Sequence, residues 1–189
     1  HEMDDFTADD LNKLALWSAT GSGKTLLMHV NVLQFKHHAE GKMDVNRTLL
    51  ITPNAGLTQQ HNDEFLLSSI NARVFSKLNI GGFFEKDAID IVEITKLSEK
   101  DGDKTVAVDS FESNNLVIVD EGHRGSSGEV WKAMRDKLSA DGFAFEYSAT
   151  FGQAVSAQSS GPKKKAMLNE YGKATLFDYS YRHFYKDGY

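Results

Sequence analysis

The stretch LALWSATGSGKTLLMHVNVLQFKHH, residues 14–38, decides the fold. Leu14 to Trp17 is an apolar run of strand length, and Lys24 to His38 reads as an amphipathic helix. Between them lies SATGSGKT, Ser18 to Thr25. A strand, a glycine-bearing turn and a helix in direct succession form the setting in which a backbone can wrap a phosphate. Gly21 and Gly23 permit a tight turn that aims successive N–H groups inward, and the helix beginning at Lys24 adds its positive end. Thr20, Gly21, Ser22, Gly23, Lys24 and Thr25 are therefore the candidate nucleotide-binding residues. Lys24 is expected to reach the β- and γ-phosphates of ATP, and the Thr25 hydroxyl to hold Mg²⁺. The strict pattern has Gly six residues before the lysine, where this chain has Ser18. A Gly/Ser turn that only caps a helix would leave the Gly-Lys-Thr ending unexplained.

Working outward, short apolar runs alternate with amphipathic stretches, which predicts a mostly parallel sheet wrapped by helices. The expected strands are Leu14–Trp17, Thr48–Ile51, Arg73–Phe75, Ile89–Ile94, Leu116–Val119, Phe143–Tyr147 and Thr175–Phe177. The expected helices are Lys24–His38, Ala55–Ser69, Gly128–Leu138 and Lys163–Glu170. In the third, Ser126 and Glu129 are spaced as a capping box, and Val130, Met134 and Leu138 share a face that reads as core. The polar stretch Lys100–Lys104 and AVSAQSSGPKKK, Ala154 to Lys165, read as excursions from the sheet.

Composition bounds the function. With 189 residues, 40% hydrophobic and 25% charged, the chain suits one domain able to bury a core. The absence of Cys excludes disulfide scaffolds, zinc ribbons and cysteine nucleophiles. No apolar run approaches the ~20 residues of a bilayer span, and the opening HEMDDFTADD is acidic where a signal peptide would be basic. A cytoplasmic protein without a membrane partner is expected. A net charge of -6 argues against bulk attraction to nucleic acid, so any such contact must be local.

A nucleotide's metal needs a second anchor. Leu116 to Val119, four consecutive apolar residues, run straight into Asp120 and Glu121. Carboxylates ending a buried strand are costly without a cation or hydrogen-bonding partner, so Asp120 is read as facing Mg²⁺. Glu121 then sits where it could orient or deprotonate the attacking water.

These motifs carry a resemblance. DEGH, Asp120 to His123, resembles motif II of DEAD/DEAH-type superfamily two helicases, and SAT, Ser148 to Thr150, resembles their motif III. ITPNAGLTQQH, Ile51 to His61, resembles motif Ia, and VEITKLSE, Val92 to Glu99, more weakly the next nucleic-acid-facing segment. DEGHRG (120–125) and YSATFG (147–152) are most similar to the motor portion of type III restriction enzyme Res-like proteins. The resemblance covers Trp17 to about Asp178. It implies a RecA-like P-loop NTPase domain, a three-layer α/β/α sandwich over residues 1–177, with residues 178–189 starting a connector. It also implies a second RecA-like domain, absent from this chain, and restriction-modification subunits as partners. Carried over by motif, Lys24 and Thr25 would hold phosphate and metal, Asp120 the metal and Glu121 the water. His123 would couple the ATP site to the neighbouring domain, and Ser148 and Thr150 would link hydrolysis to movement. The sixteen residues ahead of Trp17 contain nothing like the family's adenine-reading glutamine segment. Arginine fingers from a second domain are worth roughly 10³ to 10⁵ in rate, so this chain alone is expected to hydrolyse ATP slowly.

In open parallel sheets ligands gather beyond the carboxyl ends of the strands, so the loops after Ile51 and Ile94 should share an edge with the phosphate loop. Those loops offer Thr52, Pro53, Asn54, Gln59, Thr95 and Lys96 as nucleic-acid contacts, of the kind that position a strand without reading its sequence. Thr52 to Asn54 equally suit a turn that starts the next helix. The residues do not separate DNA from RNA, whereas the restriction-type resemblance points to DNA. The function expected is an ATP-driven helicase or translocase motor. The alternative is a nucleotide-gated binding or scaffold module without turnover. A GTPase would need a downstream Asn-Lys-x-Asp, which is missing.

Overall fold

A computed structural model describes residues 4–77, 87–121, 129–149 and 161–189. After a 3-10 turn at Ala8–Asn12, the elements run β1 (Lys13–Ser18), α1 (Lys24–Ala39), β2 (Thr48–Thr52), α2 (Ala55–Leu67), β3 (Ala72–Val74) and β4 (Ile89–Glu93). There follow β5 (Leu97–Ser98), β6 (Val106–Ala107), β7 (Leu116–Asp120), α3 (Glu129–Leu138), β8 (Phe143–Ser148), α4 (Pro162–Ala174), β9 (Thr175–Tyr179) and α5 (Tyr181–Lys186).

Among the described residues one sheet has seven strands in the order β3-β4-β2-β7-β8-β1-β9, with every pair parallel. Side chains on a strand alternate between faces, so a strand buried on both sides reads as an unbroken apolar run. Thr48–Thr52 and Leu116–Asp120 are buried at every position for that reason. Leu50, Ile89, Ile91, Leu116, Ile118, Phe145 and Tyr147 point to one face, where they meet Met28 and Val32 of α1 and Phe65 of α2. Leu49, Ile51, Val92, Val117, Val119 and Ala144 point to the other, against Val108, Phe111 and Leu138 of α3. Ala15 extends that second layer onto Tyr171 and Ala174 of α4. Two helical layers on a parallel sheet make the three-layer α/β/α fold expected from the motifs.

Most expected elements are found within a residue or two of their bounds. The third strand is Ala72–Val74 rather than Arg73–Phe75, and helix α4 runs on to Ala174, four residues beyond Glu170. Pro162 stands in the first turn of α4, where its missing N–H costs nothing, so Lys163 to Lys165 are helical. The polar stretch Lys100–Lys104 leaves the main sheet as expected, bracketed by the two-stranded pair β5 and β6. On α3, Leu138 is buried in the core and Met134 packs against it, whereas Ser126 lies outside the described residues. No described helix is long and apolar enough to cross a membrane.

Candidate functional site

Topology alone gathers the candidate residues. In a parallel sheet all carboxyl ends lie on one edge. Along it stand, in order, the turn after β4 (Ile94–Lys96), Thr52 ending β2 with Pro53 and Asn54 after it, Asp120 ending β7 with Glu121 after it, Ser148 ending β8, and the phosphate loop after β1. Neighbouring strands are spaced about 4.8 Å, so about 19 Å separates the β4 turn from the phosphate loop. Strand β8 lies between β1 and β7, with Trp17 opposite Ser148 and Asp120 opposite Tyr147.

The loop after β1 has the backbone its glycines predict. Gly21 and Gly23 have φ of 82° and 89°, in the left-handed region that favours glycine. A methyl group built at either would meet nothing within 4 Å, so the hollow beside the loop is open. The loop is pinned at both ends. Ala19 N–H donates to Tyr179 O of β9 at 2.9 Å, and Ser22 N–H returns to Ala19 O at 3.2 Å. Thr20 and Gly21 are exposed, and Lys24 and Thr25 stand in the first turn of α1. A helix start leaves its first N–H groups without intrahelical acceptors, and the macrodipole makes that end attractive to an anion.

Across β8, Glu121 has φ of 53°, a strained value for a side-chain-bearing residue. Its carboxylate accepts from Lys24 Nζ at 2.5 Å, a contact spanning 97 residues of sequence. Asp120, buried at the end of β7, accepts from the imidazole of His61 at 2.9 Å (Nε2 to Oδ2). Ser148 is fully buried. Trp17 Nε1–H donates to Ala149 O at 3.0 Å, clamping the end of β8 to β1. One layer below, Asn31 of α1 donates to the Tyr147 hydroxyl at 2.6 Å, and burial pushes that phenol well above its usual range. His123 and Thr150 lie outside the described residues.

Asn54, Gln59, Thr95 and Lys96 are exposed, and Pro53 is half-buried. Thr52 is buried, its hydroxyl paired with that of Thr58 at 2.5 Å, so it braces the loop from beneath. Asn54 caps α2 by accepting from Leu57 N–H at 3.0 Å, so this loop also starts a helix. Gln59 donates to Asp63, and Thr95 to Glu93. A small crevice lined by Thr52, Pro53, Ile94, Asp120 and Glu121 joins both loops to the carboxylate pair.

Among the described residues no group of three or more His, Cys, Asp or Glu could hold a metal ion. The oxygen donors of Thr25 and Asp120 nevertheless fit Mg²⁺, which is held by one or two protein oxygens plus phosphates rather than by an all-protein cage. The sequence passed over His61, whose only signal is its place on the buried face of α2 with Thr58 and Phe65.

Comparison with known proteins agrees with this geometry. No curated protein sequence matches the chain. Three of the solved structures that share the fold serve as examples. They are the UvsW helicase from bacteriophage T4 (TM-score 0.57, 15% identity, 88% of this chain and 54% of that one), the Pyrococcus furiosus Hef helicase domain (0.54, 17%, 87% and 34%), and the Sulfolobus solfataricus SWI2/SNF2 ATPase core in complex with dsDNA (0.54, 15%, 87% and 34%). The chain thus spans between a third and just over half of those proteins. The family model described as type III restriction enzyme, res subunit, matches residues 3–153. The family match over most of the chain shows that it belongs to the type III restriction enzyme res subunit family, and its fold is shared with these helicase structures.

Proposed function

We propose that the chain binds ATP with Mg²⁺ and hydrolyses it to drive movement on nucleic acid. The observation that carries this reading is the Lys24–Glu121 contact, which joins the phosphate loop to the end of β7 across an intervening strand. A lysine and a glutamate brought together from so far apart in sequence suit a site where one meets phosphate and the other meets water.

The residues divide the work as follows. The loop from Thr20 to Gly23 and the start of α1 would cradle the phosphates, and Thr25 and Asp120 would hold Mg²⁺. Bound Mg²⁺ would neutralise phosphate charge and orient the terminal phosphoryl group. Lys24 would turn from Glu121 to a phosphate oxygen, and the Glu121 carboxylate would orient water and take its proton. Ser148 links the β8 end to this rearrangement, and His123 and Thr150 complete the coupling.

Asn54, Gln59, Thr95 and Lys96 are proposed to face a nucleic-acid backbone, with Thr52 and Pro53 shaping the loop. Their exposure on the edge that also carries Asp120 supports this. DNA is the proposed polymer, in keeping with the family and with a structural neighbour solved with dsDNA. Restriction-modification subunits and a second RecA-like domain are proposed as partners in a cytoplasmic assembly. Residues 1–177 would be the motor unit and 178–189 the lead into that second domain. The alternative scaffold without turnover has less support, because Lys24, Thr25, Asp120 and Glu121 are all present.

Glu121→Gln tests the reading in the complete motor. The amide keeps the shape and loses the base, so ATP binding should persist while nucleic-acid-stimulated hydrolysis is lost in single-turnover kinetics. A rate within a few fold of wild type would remove Glu121 from the water-activating role.

A further inference from the structure

Helix α2 begins at the loop proposed to face nucleic acid, yet one of its side chains turns the other way. His61 is 3% exposed, and its Nε2 lies 2.9 Å from Oδ2 of Asp120, itself 7% exposed. An ionised carboxylate only accepts hydrogen bonds, so the imidazole is the donor. The ring is held from several sides. Asn54 caps the helix, Thr58 is tied to Thr52 one turn before the ring, and Phe65 is locked in the core one turn after it.

We propose that His61 is a positioning residue for Asp120, fixing one carboxylate orientation toward Mg²⁺. This rests on the ATP-Mg²⁺ reading above and adds to it a residue outside the phosphate loop and the DEGH motif. The physical reason is the freedom of an aspartate at a strand end. Its carboxylate can rotate about the last side-chain bond, and a metal anchor that rotates spends part of its time facing away. A donor from a rigid neighbouring helix removes that freedom. Groups that hold metal ligands in this way typically change metal affinity or activity 10–100-fold when removed. Asn54 at the start of α2 and Gln59 on its exposed side belong to the proposed nucleic-acid edge, while His61 reaches the metal anchor from the same helix.

The test compares binding of a fluorescent ATP analogue in Mg²⁺ and in EDTA, for the chain and two variants. His61→Leu fills the space without a donor, and His61→Gln places an amide N–H near the position of Nε2. The Mg²⁺-dependent gain in affinity should fall about 10-fold or more in His61→Leu, with the EDTA affinity unchanged, and most of the gain should return in His61→Gln. Thermal melting checks folding. If His61→Leu does not fold, His61→Asn, whose amide is too short to reach Asp120, takes its place. A wild-type gain in the donor-free variant would overturn the proposal, as would equal losses in the Leu and Gln variants. Loss of affinity in EDTA and Mg²⁺ alike would mark His61 as merely structural. A wild-type chain with no Mg²⁺-dependent gain would overturn the ATP-Mg²⁺ reading itself, and this assignment with it.

Discussion

Glu146 is the buried charge on which the face of the sheet opposite α1 and α2 depends. It stands in β8 at 1% exposure, where its carboxylate meets Arg135 Nη1 of α3 at 3.0 Å and Lys13 Nζ of β1 at 3.2 Å. The Tyr171 hydroxyl of α4 donates to it at 3.0 Å. Burial disfavours the Arg135 guanidinium, yet Glu146, Tyr171 and Asp136 together outweigh that penalty and raise its pKa. Glu146→Ala would take the paired carboxylate away from the buried Arg135, while Lys13 would keep Glu170 at 2.8 Å and Asp136 at 3.2 Å. Removing one partner of a buried pair costs about 3–5 kcal/mol. For a domain of this size each kcal/mol moves Tm by about 2–4 °C, so Tm should fall by about 6–20 °C. Differential scanning calorimetry reads this directly. The double variant Arg135→Met with Glu146→Leu should recover most of the loss, because apolar replacement of both partners removes the buried charges together. A fall in Tm below about 2 °C for Glu146→Ala would refute the reasoning.

Other outcomes follow from local geometry. A methyl group at Gly142 would lie 2.1 Å from Asn115 O and 2.7 Å from Asn115 N, both backbone atoms at the entry to β7. Gly142→Ala should therefore cost at least about 1–3 kcal/mol, visible as a lower urea midpoint, and an unchanged midpoint would contradict the contact. Asp10 is held down to about 2 from an ordinary 3.8, first by the Lys173 hydrogen bond and then by Thr7. Because the folded value is depressed, this clasp contributes fully above the ordinary carboxylate range and is lost as pH falls through about 2. An NMR titration of the Asp10 carboxyl with a midpoint near its ordinary value would oppose it. Cross-linking a single-stranded oligonucleotide to the complete motor should label peptides bearing Asn54 and Thr95–Lys96. Labelling confined to Lys163–Lys165 would instead make that basic tract the track.

The parts of this molecule legible in sequence are those where one residue type meets one physical demand. Gly21 and Gly23 announce positive φ, and the run Leu116–Val119 announces a strand buried on both faces. Asp120 and Glu121 follow where such a strand must reach the sheet edge. Other parts depend on neighbours brought from far away. The Lys24–Glu121 contact is set by strand order, which places β8 between the two loops and is not written in either one. His61 reads as one more polar residue in TQQH until α2 is seen to bury Thr58, His61 and Phe65 as a single face. Glu146, within the apolar run FAFEYS, is a charge whose partners come from three other elements. The short pair β5–β6 has two residues per strand, too few for any periodicity to show.

The central claim is that the loop from Thr20 to Thr25 holds the phosphates of ATP with Mg²⁺, and Lys24→Ala tests it most directly. The side chain lies at the sheet edge, at the start of α1, and pairs with Glu121 rather than belonging to the hydrophobic core, so the fold should survive the change. A charge-assisted contact is worth about 1.5–3 kcal/mol, so calorimetric titration with ATP and Mg²⁺ should show affinity falling about 10- to 100-fold with the melting curve retained. Equal affinities for wild type and Lys24→Ala would contradict the account.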